Sequence, residues 1–279
     1  MNLSTIASKF FLTLLMCAAT SYLICPVSQA FNKEDQTPQR SVDSLCEKAR
    51  SFWRVSTDST KFYANLAHQV SLKSGSRAEV ALANRHVGIA HILDGEHEEA
   101  ASYLQQSLDI YNELGDRLGI SAVLNNFGNL YNGKGNYEDA LYFFNKSLDI
   151  RLDLKTPLEL STTLNNIGLI FLQIGDATES AVWFRRALEV CRETEHFKLL
   201  ANIHDNLGMS AHMMDSSHVA LKYHRKAYRI SQENAFRAIS AKVALNLCVL
   251  HQEYGLRDSA EYYLNKALNY LETSSYFPD

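Results

Sequence analysis

Apolar residues along this chain fall into two bands of helical spacing, and the pair of bands returns every 40 residues. In the stretch LNNFGNLYNGKGNYEDALYFFNKSLDI, residues Leu124, Phe127, Gly128 and Tyr131 form the first stripe. After Gly135, residues Ala140, Phe143, Phe144, Ser147 and Leu148 form the second. Steps of three, four and seven residues belong to a helix and not to a strand, so each unit reads as two helices joined by a short link. Related text begins at Asn84, Leu164, His204 and Ala244. A fixed period of this length marks a repeat solenoid, in which a hairpin buries its apolar face only against its neighbours. The expected fold class is all-α.

Two glycine series keep the period. Gly88, Gly128, Gly168 and Gly208 sit mid-helix, with Cys248 in the fifth place; Gly95, Gly135, Gly175 and Gly255 sit at the link, interrupted by Asp215. A mid-helix glycine costs about 1 kcal/mol against alanine, a cost that close approach of a neighbouring helix explains. The link glycine is expected where the backbone needs positive φ. Small residues (Ala100, Ala140, Ser180, Ala220, Ala260) and large ones (Tyr103, Phe143, Trp183, Tyr223, Tyr263) also recur in step. Small faces large, so adjacent helices can interlock.

These positions together resemble the tetratricopeptide repeat (TPR) family: Leu/Phe-Gly, then Tyr, a link Gly, then Ala, aromatic and Ala. The family's proline after the second helix is missing from most units, and the period is 40 where the family's common form has about 34. The extra residues are expected to lengthen the helices near the joins. The resemblance spans about residues 81–275 and implies a right-handed α-solenoid. Stepping back one period gives a sixth, degenerate unit over 41–80, with Thr60, Tyr63, Ala67 and His68 on its second-helix stripe. Five regular units fill 81–279. No separate capping helix follows them, so Tyr262, Tyr263, Leu264 and Leu268 are expected near an uncovered end. A further part of a longer protein, a partner, a second copy of the chain or a fold-back of the last residues would each cover it.

Residues 1–30 lie outside the repeat. Lys9 precedes an uncharged run from Phe10 to Cys25, followed by Pro26 and Ser28-Gln29-Ala30. That is the layout of a secretory signal peptide, and the run is shorter than the ~20 residues of a spanning helix. Export is expected, to the periplasm if the source has two membranes; a retained amino-terminal anchor is the alternative. Residues 31–40 are polar and read as a flexible leader. After signal removal no stable membrane insertion is expected.

Composition narrows the function. A net charge of −4 and a pI near 6.2 give no basic footprint for nucleic acid. Cys46, Cys191 and Cys248 remain after signal removal and share no close-spaced motif, so no disulfide framework is expected, and Cys248 reads as a small buried residue. His204, His224 and His91 fall on apolar stripes, where a hydrogen-bonded packing histidine is the ordinary outcome. No zinc-ligand spacing, phosphate-cradling glycine loop or nucleophile elbow is present, so no metal, cofactor or catalytic residue is expected.

A binding face is the better candidate. Asn126, Asn166, Asn206 and Asn246 recur in register, with His86 in the matching slot. A primary amide offers two donors and an acceptor oxygen, which suits a peptide backbone. The competing reading is that these amides satisfy polar groups within the stack. The TPR resemblance places first helices on the concave side, so Arg85, Asn125, Asn129, Asn165, Asp205, Leu169 and Met209 would line the groove. Ile89, Ile92, Asn132, Leu172, His212, Val249 and Gln252 would join them. Only Arg85 matches the cations that clamp a terminal carboxylate, so an extended or helical peptide with apolar anchors is the expected ligand. Two roles fit: an exported scaffold or adaptor for a protein or peptide partner, or the sensing part of a signal-transduction protein with a histidine kinase or DNA-binding output domain. Self-association through the uncovered end is a further expectation.

Overall fold

In the computed structural model the described residues are 41–53 and 55–274. The signal peptide and leader expected over 1–40, and the last five residues of the expected uncovered end, lie outside them. The segment from Ser41 onward forms one compact unit.

Twelve α-helices make up the described part, in six hairpins. The first hairpin pairs α1 (Val42–Ser51) with α2 (Thr57–Ser74). Four more follow: α3 (Arg77–Asp94) with α4 (His97–Leu114), α5 (Arg117–Gly133) with α6 (Tyr137–Leu154), α7 (Pro157–Gln173) with α8 (Ala177–Cys191), and α9 (Phe197–Met213) with α10 (Ser217–Glu233). The last is α11 (Arg237–Glu253) with α12 (Arg257–Ser274). No strand occurs among the described residues. Two helices of 15 to 18 residues and two short links account for the 40-residue period in the regular units.

The mid-helix glycines mark where hairpins close. A Cβ on Gly128 would stand 2.5 Å from the Phe144 ring, and one on Gly168 would stand 2.7 Å from Phe184. Both rings are fully buried, so they have no room to give. At the links Gly135 adopts φ 73, and Asp215, which interrupts the series, adopts φ 54 all the same. A second link series joins consecutive hairpins, with positive φ at Gly75, Gly115, Lys155 and Ala235. Buried serines tie the two helices of a hairpin together: Ser147 donates to the Ser121 carbonyl at 2.8 Å, and Ser161 donates back to the Ala187 carbonyl at 2.9 Å in the next unit. Cys248, expected to be buried in the glycine slot, is only half-buried.

The two helices of a hairpin occupy different layers. Each first helix approaches the first helix of the next unit, α3 to α5, α5 to α7, α7 to α9 and α9 to α11. No second helix comes that close to the next second helix. The first helices therefore form the tighter, inner layer, and their free faces combine into one continuous surface.

Candidate functional site

The inner layer is held together by amides that cross from unit to unit. Asn206 donates from Nδ2 to Oδ1 of Asn165 at 2.9 Å, and Asn246 donates to Oδ1 of Asp205 at 2.9 Å. Asn166 reaches Oδ1 of Asn125 at 3.4 Å and of Asn129 at 3.5 Å. Each ladder amide thus points back to the residue 41 positions earlier in the preceding first helix. Arg85 occupies that acceptor position in the first regular unit and has no oxygen to offer, so the Nδ2 of Asn126 finds no partner. His86, in the asparagine slot, is buried beside Trp53 with ring centroids 6.0 Å apart; burial, then the Arg85 charge, pushes its pKa well down.

Asp205 is completely buried. It accepts from Nδ1 of His224 at 2.7 Å and pairs with Nζ of Lys242 at 2.9 Å, in addition to the Asn246 bond. Burial alone would raise the carboxyl's pKa, but the His224 hydrogen bond and the Lys242 charge outweigh it and hold Asp205 at about 2. The local sequence explains the pair. Units two and three carry Asn125 with Phe144 and Asn165 with Phe184, whereas the fourth changes both members, to Asp205 and His224. The His224 ring lies against Gly208 as the phenylalanines lie against Gly128 and Gly168. His204 behaves differently from its neighbour: both its nitrogens lack partners, and burial followed by the Lys226 and Arg192 charges lowers its pKa to about 4.

Another buried cation, Arg151, donates from NH1 to the Glu159 carbonyl at 2.7 Å and to Thr163 Oγ1, which in turn donates to Asn125 at 3.3 Å. These polar groups are internal ties between units. Among the described residues no three His, Cys, Asp or Glu side chains gather as a metal site, and no helix is long and apolar enough to cross a membrane.

The expected groove residues separate into two sets. Ile89, Asn125, Asn126, Asn165, Leu172, Asp205, Asn206 and His86 are buried in the stack. Asn129, Leu169, Met209 and Val249, one period apart, run across the free face of the inner layer, with Asn166, Asn246 and Arg85 half-buried beside them. Ile92, Asn132 and His212 are half-buried and Gln252 is exposed along the same face, where His212 Nε2 meets Glu253 at 3.4 Å. Val249 is 48% exposed. Met213, also 48% exposed, extends the strip one turn beyond Met209. The sequence reading missed Met213; its signal was an apolar residue four positions after another on the same helix. Lys242, with half its side chain exposed, brings a cation to this face, but Asp205 engages it from below. The free face therefore offers apolar side chains flanked by amides, with Lys242 and His212 each already beside an acidic side chain.

Comparison with known proteins places this architecture. No curated protein sequence matches the chain. Among solved structures, BtubC (BKLC) from P. vanneervenii is similar with a TM-score of 0.63 at 18% identity, over 85% of this chain and 94% of that one. A Rap protein complexed with competence and sporulation factor has a TM-score of 0.63 at 14% identity, over 83% of this chain and 64% of its own. A signal transduction ATPase with numerous domains, carrying a tetratricopeptide repeat sensor, from Pyrococcus horikoshii has a TM-score of 0.59 at 15% identity, over 84% of this chain and 42% of its own. At these identities the likeness is one of fold. The tetratricopeptide repeat model matches residues 79–153 and 159–233, more than half of the chain, and the chain belongs to the tetratricopeptide repeat family.

Proposed function

We propose that this protein is a non-catalytic interaction module that takes a protein or peptide on the inner face of its helix stack. The observation that carries the reading is the strip of Leu169, Met209, Met213 and Val249 across three consecutive first helices, flanked by Asn129 and Asn166. Apolar side chains on a surface built from rigid helices supply anchoring pockets, and methionine adapts to the shape it meets. Asp205 and His224 resemble catalytic partners by type, but at 0% and 2% exposure they are out of a substrate's reach. The ladder amides serve the ligand only where they are half-buried, at Asn166 and Asn246; Asn206 is spent inside the stack.

Export fits this reading, supported by Lys9, the apolar run to Cys25 and the Ser28-Gln29-Ala30 step. A sensing role within a signal-transduction protein is the second reading, favoured by the likeness to a protein with a tetratricopeptide repeat sensor. The test is co-purification from the source cell using wild type and the double variant Met209→Lys/Val249→Lys. Loss of the same partner at unchanged melting temperature supports the reading; full retention of it contradicts the assignment of the face. Amino-terminal sequencing of the mature protein tests export: a start at Phe31 in the exported fraction supports it, and Met1 in the cytosolic fraction opposes it.

A further inference from the structure

The described stack ends on α11 and α12 in an apolar face of the kind that each earlier hairpin gives to its successor. We propose that this face is the contact surface of a symmetric homodimer. It lies at the end of the stack and stands independently of the inner-face reading.

In earlier units the second helix turns a stripe toward the next hairpin. Leu148 shares a buried cluster with Leu164 and Ile167 of α7, and Leu188 shares it with Ile203 and Leu207 of α9. Tyr228 is buried in the same way with Val243 and Leu247 of α11. Their counterpart in α12, Leu268, is 36% exposed. One turn earlier, Leu104, Phe144, Phe184 and His224 are all buried, whereas Leu264 is half-buried. From α11 comes Leu245, also half-buried. Its counterparts Asn125, Asn165 and Asp205 accept from the ladder amide of the following unit, so this slot is the one turned toward the end of the stack. Cys248 holds the slot of Gly128 and Gly168, which Phe144 and Phe184 cover, and it joins the same patch beside Leu264 by register.

Two changes set this face apart from the joints inside the stack. Leucine replaces the acceptor at 245, so another hairpin of the same kind would set its amide against a side chain with no oxygen. Glu261 replaces Ala101, Leu141, Ala181 and Leu221, which are buried or half-buried, and its carboxylate would lose water beneath such a hairpin. Nor does the face suit water. A terminal repeat in contact with solvent needs a polar outer side, and Leu245, Leu264 and Leu268 do not supply one.

A second copy meets both conditions. Across a two-fold axis the same patch serves both partners, so leucine meets leucine and no polar group is left unpaired at the centre. Arg257 and Glu261, both exposed, give the rim one charge of each sign, so pairing two copies brings no net charge together. An apolar centre within a polar rim is the usual anatomy of a protein interface. The size is sufficient. Helices of 17 and 18 residues lie side by side here. They give a face about 25 Å long and about 20 Å wide, hence about 1,000 Å² for the pair, the lower size of a specific interface. A dimer of this size fits dissociation in the micromolar range.

The experiment is sedimentation velocity on the purified protein from about 1 to about 100 μM. Maleimide labelling of Cys248, read by peptide mass spectrometry, accompanies it on the same samples. A monomer–dimer equilibrium with Kd of about 10 μM is expected, and labelling of Cys248 should slow as the dimer forms. Leu268→Glu brings two carboxylates to the contact, and Leu245→Asn installs the residue found at Asn125 and Asn165. Each is expected to weaken the dimer about tenfold or more, with the helical spectrum and melting temperature retained. Leu245→Asn and the labelling of Cys248 decide the matter if Leu268→Glu fails to fold. A protein that stays monomeric over the whole range overturns the proposal. So does a dimer that leaves Cys248 labelling unchanged, or one that Leu245→Asn and Leu268→Glu leave intact.

Discussion

His204→Leu should make the protein more resistant to mild acid. His204 occupies a slot that holds Leu124 and Leu164 in two earlier units, so leucine is known to fit this position of the helix stack. The imidazole is 1% exposed, and its pKa falls from 6.5 to about 4, chiefly through burial and then through the Lys226 and Arg192 cations. The folded state thus binds the proton less readily than the unfolded chain does. Its stability is complete above the unfolded value of 6.5 and falls as pH drops toward 4. At about pH 4.5 the lost contribution is about 2–3 kcal/mol. His86 titrates in the same direction and contributes to the total. The informative quantity is therefore the difference between wild type and variant. Urea unfolding followed by far-UV circular dichroism at pH 7 and about 4.5 supplies it. The two proteins should agree within about 1 kcal/mol at pH 7 and separate by about 2–3 kcal/mol at the lower pH, with the variant more stable. An unchanged gap at both pH values would refute the inference that the buried ring is kept neutral.

The fourth unit allows a related test by repeat grafting. His224→Phe strips Asp205 of its shortest partner and should cost about 3–5 kcal/mol, while Asp205→Asn/His224→Phe reproduces the Asn165–Phe184 pairing and should recover most of the loss; a double variant no better than the single would contradict the pairing. Gly128→Ala should destabilise by about 1–2 kcal/mol, because crowding of Phe144 outweighs the gain in helix propensity; a higher melting temperature would show that the hairpin is less tightly closed than its geometry. Asn206→Ala should cost about 1 kcal/mol in urea unfolding through loss of the bond to Asn165, and no measurable cost would mean that the ladder is not an internal tie.

The hairpin architecture was readable because both helices carry their apolar positions at the same phase in every unit, and because Gly128 and Gly168 mark close approach wherever they recur. The second link series was hidden. Gly75 and Gly115 belong to it, but Lys155 and Ala235 take the same left-handed conformation, and neither residue announces it. The inner face was partly readable. Leu169, Met209 and Val249 could be placed by register alone, whereas the direction of each asparagine could not. Whether an amide points to a ligand or to the previous unit depends on a 41-residue offset across the stack, which only the packed helices define. His224 could be read as a hydrogen-bonded packing histidine from its apolar stripe; its acceptor, Asp205, sits 19 residues earlier on the partner helix of the hairpin. His204 occupies a similar stripe yet bonds to nothing, since its neighbours there offer packing and no acceptor.

Site-specific photocrosslinking in the source cell separates the inner face from the rest of the surface. A crosslinking amino acid is placed singly at Met213 or Val249 on the first helices, and at Tyr142 or Leu72 on the second helices, all exposed positions. A discrete adduct with one protein or peptide from Met213 and Val249, and none from Tyr142 and Leu72, is the predicted result. Adducts from Tyr142 or Leu72 alone would contradict it and move the interaction to the outer layer.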